Sequence, residues 1–212
     1  MTTNLYLARH GQTQWNKTHR FQGQLDSDLT DAGKLQSAQI AQQLSDIKIE
    51  LIVSSTLGRA VNSALICQQQ LKSPVEHSVE LIERNLGHWQ GRYIQDIKAD
   101  KDYPELLQQY TDLTLVDNDS SLNGKHIEVV DGFNKSESAI TCAARIYNAL
   151  ETLADEHNGK NILVIFHGEA LRCFLAKLGH HSSISAYELF DNGSVFQVTY
   201  QHSEKRFNLI TS

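Results

Sequence analysis

With 212 residues, 40% hydrophobic and 21% charged, the chain has the length and composition of one globular domain with a buried core. It contains no apolar run of about 18 residues, which excludes a membrane span of the helical kind. Its net charge of −6 argues against a general nucleic-acid binder, which needs clustered Lys and Arg, but leaves room for a small anionic substrate in a locally positive pocket.

The elements alternate in chain order. Leu5 to Ala8 is a first apolar strand. "LTDAGKLQSAQIAQQLSDI" is a helix with Thr30 as N-cap and Leu35, Ala38, Ala41 and Leu44 on one face. Glu50 to Ser54 is a second apolar run, and a helix from about Arg59 to Leu71 follows, its stripe made of Ala60, Ala64, Cys67 and Leu71. The stretch from Gly87 to Lys135 is less regular. It holds a short helical pattern, "YPELLQQY", and a polar loop, "VDNDSSLNGKH", and reads as an insertion within a single domain spanning 1–212. "ESAITCAARIYNALETLADEH" is a long amphipathic helix stopped by Asn158-Gly159. Asn161 to Phe166 is a third apolar run, "EALRCFLAKL" a helix ended by Gly179, and "SVFQVTYQHSEKRFNLIT" a hairpin. The expected fold class is α/β, a mostly parallel central sheet covered on both faces, with an antiparallel edge.

Cys67, Cys142 and Cys173 are far apart in sequence, show no CxxC spacing and read as buried thiols. The opening residues lack the basic-then-apolar pattern of a leader, so the expected location is cytoplasmic.

In an open parallel sheet, ligands bind beyond the carboxyl ends of the strands. The first strand delivers Arg9-His10-Gly11 there, the second Ser54-Ser55 and then Arg59, the third His167-Gly168. Singly, such residues are usually solvated surface groups. An Arg at a helix start, however, opposes the helix dipole, and four basic side chains on one rim repel unless an anion lies among them. Arginines suit phosphate better than a metal ion, so no metal is expected. The GxSxG, GxxxxGK[ST] and GxGxxG signatures are absent. Ser54 and Ser55 therefore read as backbone caps and pocket wall. His180 and His181 read as a surface turn, and His19, His77, His126, His157 and His202 as exposed. His88 and Trp89 are pocket-wall candidates.

Together these residues resemble the histidine phosphatase superfamily, also called phosphoglycerate mutase-like. "LYLARHGQTQWN" resembles its RHG signature. "FQGQLDSDLTDAGKLQSAQIA" is similar to its next block, and "LIVSSTLGRAVNSA" to its Ser-Ser-Pro-Leu-x-Arg-Ala block, with Thr56 in place of Pro. "LIERNLGHWQG" resembles the proton-donor block and "VIFHG" the second-histidine block. The resemblance implies a three-layer α/β/α sandwich, with residues 87–135 lying over the active site, and assigns roles. His10 is the nucleophile that becomes phosphohistidine. Arg9, Arg59 and His167 hold the phosphoryl oxygens, with Gly168 beside them. Glu83 is the proton donor, expected to have a raised pKa, and the choice of Glu83 over Glu80 comes from the resemblance. Asn16 and the backbone at Gln22-Gly23 line the phosphate site.

Mutases of this family carry a Tyr in the proton-donor block and a downstream Arg-Arg pair. Here Leu86 stands where the Tyr would be, and no Arg-Arg pair occurs. The favoured expectation is therefore a phosphomonoesterase of the histidine acid-phosphatase type. It would act on small phosphorylated molecules through phosphohistidine, without a cofactor, a nucleic-acid partner or a membrane. A phosphoglycerate mutase is the alternative, and a non-catalytic phosphate-binding module the remote one. A homodimer is left open. Two departures stand out. "NKSES" keeps Glu137 and Ser138 of a Gly-Glu-Ser pattern but not the Gly, and Glu169 follows the second His-Gly where many phosphatases have a small residue. That carboxylate either narrows the substrate range or points away. Substrate selection is expected from residues 84 to 135, where Arg84, Arg92, Lys98, Lys101, Lys125 and Lys135 are scattered.

Overall fold

The computed structural model describes residues 1–99, 136–180 and 190–210. "YPELLQQY", "VDNDSSLNGKH", Lys101, Lys125, Lys135, His126 and His181 lie outside them, and so does most of the expected insertion.

The strands are β1 (Thr2–Arg9), β2 (Leu51–Ser55), β3 (Val75–Ser78), β4 (Asn161–Phe166), β5 (Val195–Gln201) and β6 (Arg206–Ile210), and the sheet order is β3-β2-β4-β1-β5-β6. β1 to β4 run parallel, while β5 and β6 add the antiparallel edge. The helices are α1 (Gln14–Lys17), α2 (Asp31–Gln43), α3 (Gly58–Leu71), α4 (Ile94–Lys98), α5 (Ala139–Glu156) and α6 (Gly168–Lys177).

The strict period of two along each strand sorts the core into layers. Leu5, Leu7, Ile162, Val164 and Phe166 pack with α5 and α6. Tyr6, Ala8, Ile52, Leu163 and Ile165 pack with α2 and α3 on the other face. Runs such as "NILVIF" are continuously apolar because both faces are covered. The expected α/β sandwich with an antiparallel edge is the observed one.

Three local features add to or alter the sequence reading. Val75–Ser78 is an edge strand, which sequence reasoning missed because its half-exposed residues carry no apolar alternation. The inward face of α2 is Gly33, Ser37, Ile40 and Ala41, and Leu35 is 67% exposed. The helix is turned because the chain after β1 passes against Gly33: a Cβ on Gly11 would fall 2.0 Å from the Gly33 carbonyl oxygen. Finally, Cys142 on α5 and Cys173 on α6 are hydrogen-bonding neighbours; both thiols are free and buried, and that contact together with burial pushes Cys142 well up.

The caps follow ordinary chemistry. The Thr30 hydroxyl accepts the Gly33 N–H and the Ser138 hydroxyl accepts the Thr141 N–H, each at 3.0 Å. Among the described residues no helix is long and apolar enough to cross a membrane.

Candidate active site

β4 lies between β1 and β2, and this order brings the three strand ends together. Arg9 is in register with Phe166 and Ser54 with Ile165, so the next residues along each strand leave the sheet side by side. The His10 N–H donates to the Phe166 carbonyl at 3.1 Å, and the His10 and His167 rings stand edge to face, 5.3 Å between centroids.

His10 is buried and both ring nitrogens are engaged. Nδ1 lies 2.7 Å from the Gly11 carbonyl oxygen, which can only accept, so Nδ1 carries the proton. Nε2 is then the lone-pair nitrogen, and it accepts the Arg59 Nε–H at 3.2 Å. Burial first, then the charges of Arg59 and Arg9, hold the His10 pKa well below 6.5. The ring is neutral at neutral pH, with its lone pair on the atom facing Arg59.

Arg59 enters from the first turn of α3 and is 1% exposed. Its Nη1 donates to the Leu25 carbonyl at 2.7 Å and to Asp26 Oδ1 at 2.9 Å, and its Nη2 to the Gly23 carbonyl at 2.7 Å. The loop at 22–26 thus wraps the guanidinium. Gly23 takes φ +53°, and a Cβ there would strike the Gln90 side chain. Gln90 Oε1 in turn accepts the Gln24 N–H at 2.7 Å, tying this loop to the segment after Glu83. Arg9 is buried with its Nη1 on the Phe190 carbonyl. Asn16 Oδ1 accepts from Thr13 and from Asn192 Nδ2, which also donates to the His10 carbonyl at 3.0 Å. Gln22 Oε1 accepts from Thr13 and Ser27. Gly168, buried, opens α6.

His167 is fully buried, with Nε2 2.8 Å from Ser55 Oγ, and Nδ1 has no hydrogen-bond partner among the described residues. Burial, followed by Arg59, His10, Arg9 and Arg145, pushes its pKa well below 6.5.

Glu83 faces this group from the loop after β3. Its Oε1 accepts the Arg84 N–H at 2.8 Å and the Ala170 N–H at 2.9 Å, and its Oε2 accepts the Glu169 N–H at 3.2 Å. The carboxyl therefore caps the start of α6, where the N-cap residue His167 provides no side-chain cap. Those amides and Arg59 favour the carboxylate, but burial and the neighbouring Glu169 outweigh them and raise the Glu83 pKa above 4.5.

Glu169 itself is buried. Arg172 Nη2 donates to its Oε2 at 2.9 Å, and Arg84 Nη1 lies 3.8 Å away. Its charge is thus held by arginine, which settles where this unusual residue points. Arg84 Nε also donates to the Glu137 carbonyl at 2.8 Å, and Glu137 pairs with Arg145 at 2.8 Å. Sequence reasoning named Glu169, Arg84 and Glu137 but not these pairings, and it missed Asp26, Gln90 and Asn192, whose partners are distant in the chain.

Other candidates separate from the site. Trp89 is buried and stacks on Phe21, 5.7 Å between centroids, while its neighbour His88 is exposed. His19, His77 and His180 are exposed. His157 and His202 are half-buried instead, and His202 Nε2 meets Thr3 Oγ1 at 2.9 Å, a tie at the opposite end of the sheet. Arg92 is half-buried and Lys98 exposed. Among the described residues no three His, Cys, Asp or Glu side chains gather into a metal-ligating group.

Comparison with known proteins identifies the family. The family model described as "Histidine phosphatase superfamily (branch 1)" matches residues 5–212. The "Probable phosphoglycerate mutase GpmB" of Shigella boydii is 32% identical over 201 residues, covering 94% of this chain and 86% of that protein; its Escherichia coli counterpart matches to the same extent. Among solved structures, "Mycobacterial hydrolase 1" is 26% identical with a TM-score of 0.78, covering 100% of this chain and 98% of the other. The native structure of mycobacterial glucosyl-3-phosphoglycerate phosphatase is 26% identical with a TM-score of 0.76, covering 99% and 97%. With two histidines, two arginines and a buried glutamate on one sheet rim and a family match from Leu5 to the last residue, this chain belongs to the histidine phosphatase superfamily, branch 1.

Proposed function

We propose that the chain is a phosphomonoesterase acting on small-molecule phosphate esters through a phosphohistidine at His10. The observation that carries this reading is the pairing of a neutral imidazole whose lone pair is on Nε2 with a buried carboxyl held above its ordinary pKa. Nε2 attacks phosphorus, forming an N–P bond as the P–O bond to the leaving alcohol breaks. As the phosphoryl group arrives, the Arg59 N–H on Nε2 turns to a phosphoryl oxygen. Arg9 and His167 add donors to the developing charge, in a dry site where such donors act strongly. Glu83 gives its proton to the leaving oxygen. In the second half, water attacks phosphorus, Glu83 takes a proton from that water, and phosphate leaves with His10 restored. Asn16 and the loop at Gln22-Gly23 bound the phosphate.

Phosphatase is favoured over mutase by Leu86, by the lack of an Arg-Arg pair, and by the phosphatase named among the solved relatives. The mutase reading stands second, favoured by the name of the Shigella and Escherichia relatives. Incubation with 3-phosphoglycerate separates the two: phosphate release without isomerisation supports the phosphatase, and accumulation of 2-phosphoglycerate overturns it. Acid-quench trapping from a labelled phosphoester tests the nucleophile. Label in wild type that is absent in His10→Ala supports the assignment, and no label in wild type leaves only phosphate binding.

A further inference from the structure

The two serines at the end of β2 point to opposite faces of the sheet, as adjacent strand residues must. Ser54 Oγ lies 2.8 Å from His77 Nδ1 on the edge strand. Ser55 Oγ lies 2.8 Å from His167 Nε2, inside the site. Ser55 is fully buried, so its hydroxyl proton needs a protein partner or goes unsatisfied.

The hydrogen-bond inventory allows one consistent arrangement. Ser55 Oγ already accepts the Leu57 N–H at 3.2 Å, at the start of α3. A hydroxyl has one proton to give, and among the described residues the acceptor within reach is His167 Nε2. If His167 carried its proton on Nε2 instead, Ser55 would accept two bonds and its own proton would be stranded. The Nδ1 of His167, on a ring that feels the charges of Arg59 and Arg9, would then have no proton to offer an anion. With the Ser55 proton on Nε2, His167 keeps a buried Nδ1–H that has no hydrogen-bond partner among the described residues.

We propose that Ser55 is a positioning residue that fixes His167 in its Nδ1–H form, so that His167 serves the phosphoryl group as a hydrogen-bond donor. His10 has the same proton placement for a different reason, the Gly11 carbonyl, and faces the site with the opposite nitrogen. One histidine thus offers a lone pair and the other a donor. The neutral state of His167, set by burial and by Arg59, His10, Arg9 and Arg145, is what makes the tautomer matter, because an imidazolium would donate from both nitrogens.

The donor role rests on the phosphatase reading; the tautomer does not. The test is long-range 15N–1H NMR of the imidazole rings in the full chain, with His167 identified by its loss in His167→Asn. The expected wild-type signature is a protonated Nδ1 and a bare Nε2, with the Nδ1 proton shifting when orthovanadate is added. Ser55→Ala should give a mixture of tautomers and lower kcat/KM about 10- to 100-fold, chiefly through kcat. Ser55→Thr, which keeps the hydroxyl, should retain most of the rate. A protonated Nε2 in wild type overturns the proposal whether or not any variant folds. So does a Ser55→Ala protein that keeps both the Nδ1–H form and the wild-type rate. Failure to trap phosphohistidine in wild type would instead remove the phosphatase reading, with the NMR signature still judging Ser55.

Discussion

His10 and Glu83 occupy the same rim of the sheet, and burial acts on both with opposite chemical results. For His10, desolvation joins Arg59 and Arg9 in disfavouring imidazolium. For Glu83, desolvation joins Glu169 in disfavouring carboxylate, against Arg59 and three backbone amides. Each is pushed toward its uncharged form, and that form is a nucleophile in one case and an acid in the other. The two regions also differ in construction. The His10 region is made of strand ends, where side chains are fixed by ladder register. The Glu83 region is a loop held by the first amides of α6, so its carboxyl position depends on a helix more than 80 residues away in the chain.

The largest test of this comparison removes the nucleophile. His10→Asn keeps a polar group in place but should lower turnover by at least about 10,000-fold, measured with any accepted phosphoester. Glu83→Gln should divide substrates by leaving group: a drop of about 100- to 10,000-fold with an alkyl phosphate, and a much smaller drop in burst phase with a nitrophenyl phosphate, which needs no proton to depart. An equal loss for both esters would show that Glu83 acts only as the cap of α6.

A finer test concerns what holds the Glu83 proton. The rate should fall as pH rises through the Glu83 pKa, because the protonated form is the acid. Glu169→Gln removes a negative neighbour, lowers that pKa, and should move the basic limb of the kcat/KM profile to lower pH. Arg172, left without its carboxylate partner, adds to the same direction, while Arg59 and Arg145 also face Glu83 and are unchanged. Glu169→Gln combined with Arg172→Gln should therefore shift the limb less than Glu169→Gln alone. A limb that does not move would assign it to another group.

The smallest expected effect is on stability. His10 and His167 have folded pKa values below the 6.5 of the unfolded chain, so the unfolded state binds more protons as pH falls below about 6.5. Their contribution is complete above that pH and is lost on acidification toward their folded values. Glu83 has the opposite sign: its contribution is complete below 4.5 and is lost as pH rises through its raised value. Thermal unfolding between about pH 7.5 and 5.5 should show the histidine slope, and His10→Asn should flatten it.

Much of this molecule was legible in its letters. Arg9, His10, Arg59, His167 and Gly168 follow apolar runs or open helices, and the rule that parallel strands present ligands at their carboxyl ends places them on one rim. The hairpin and the long α5 helix declare themselves by period. Other features left no such mark. Leu35 fits an apolar stripe, yet the buried face of α2 is set by Gly33 and Ser37, because Gly11 presses against that helix. Val75–Ser78 carries no strand signal in the sequence, because an edge strand needs little apolar surface. Cys142 and Cys173 read as separate thiols until α5 packs on α6.

The sequence by itself determined the layers, through strand and helix periodicity, and the identity of the strand-end residues, through their position after each apolar run. Only the tertiary structure decided which nitrogen of each imidazole faces the site, how Glu83 is held, and that Arg84 comes to Glu169. The Ser55 hydroxyl, the first amides of α6 and the Arg59 guanidinium meet side chains from other elements, and hydrogen bonds between distant segments exist only once the sheet order has brought them together; the Gly11 carbonyl is a local contact, set by how the backbone turns after β1.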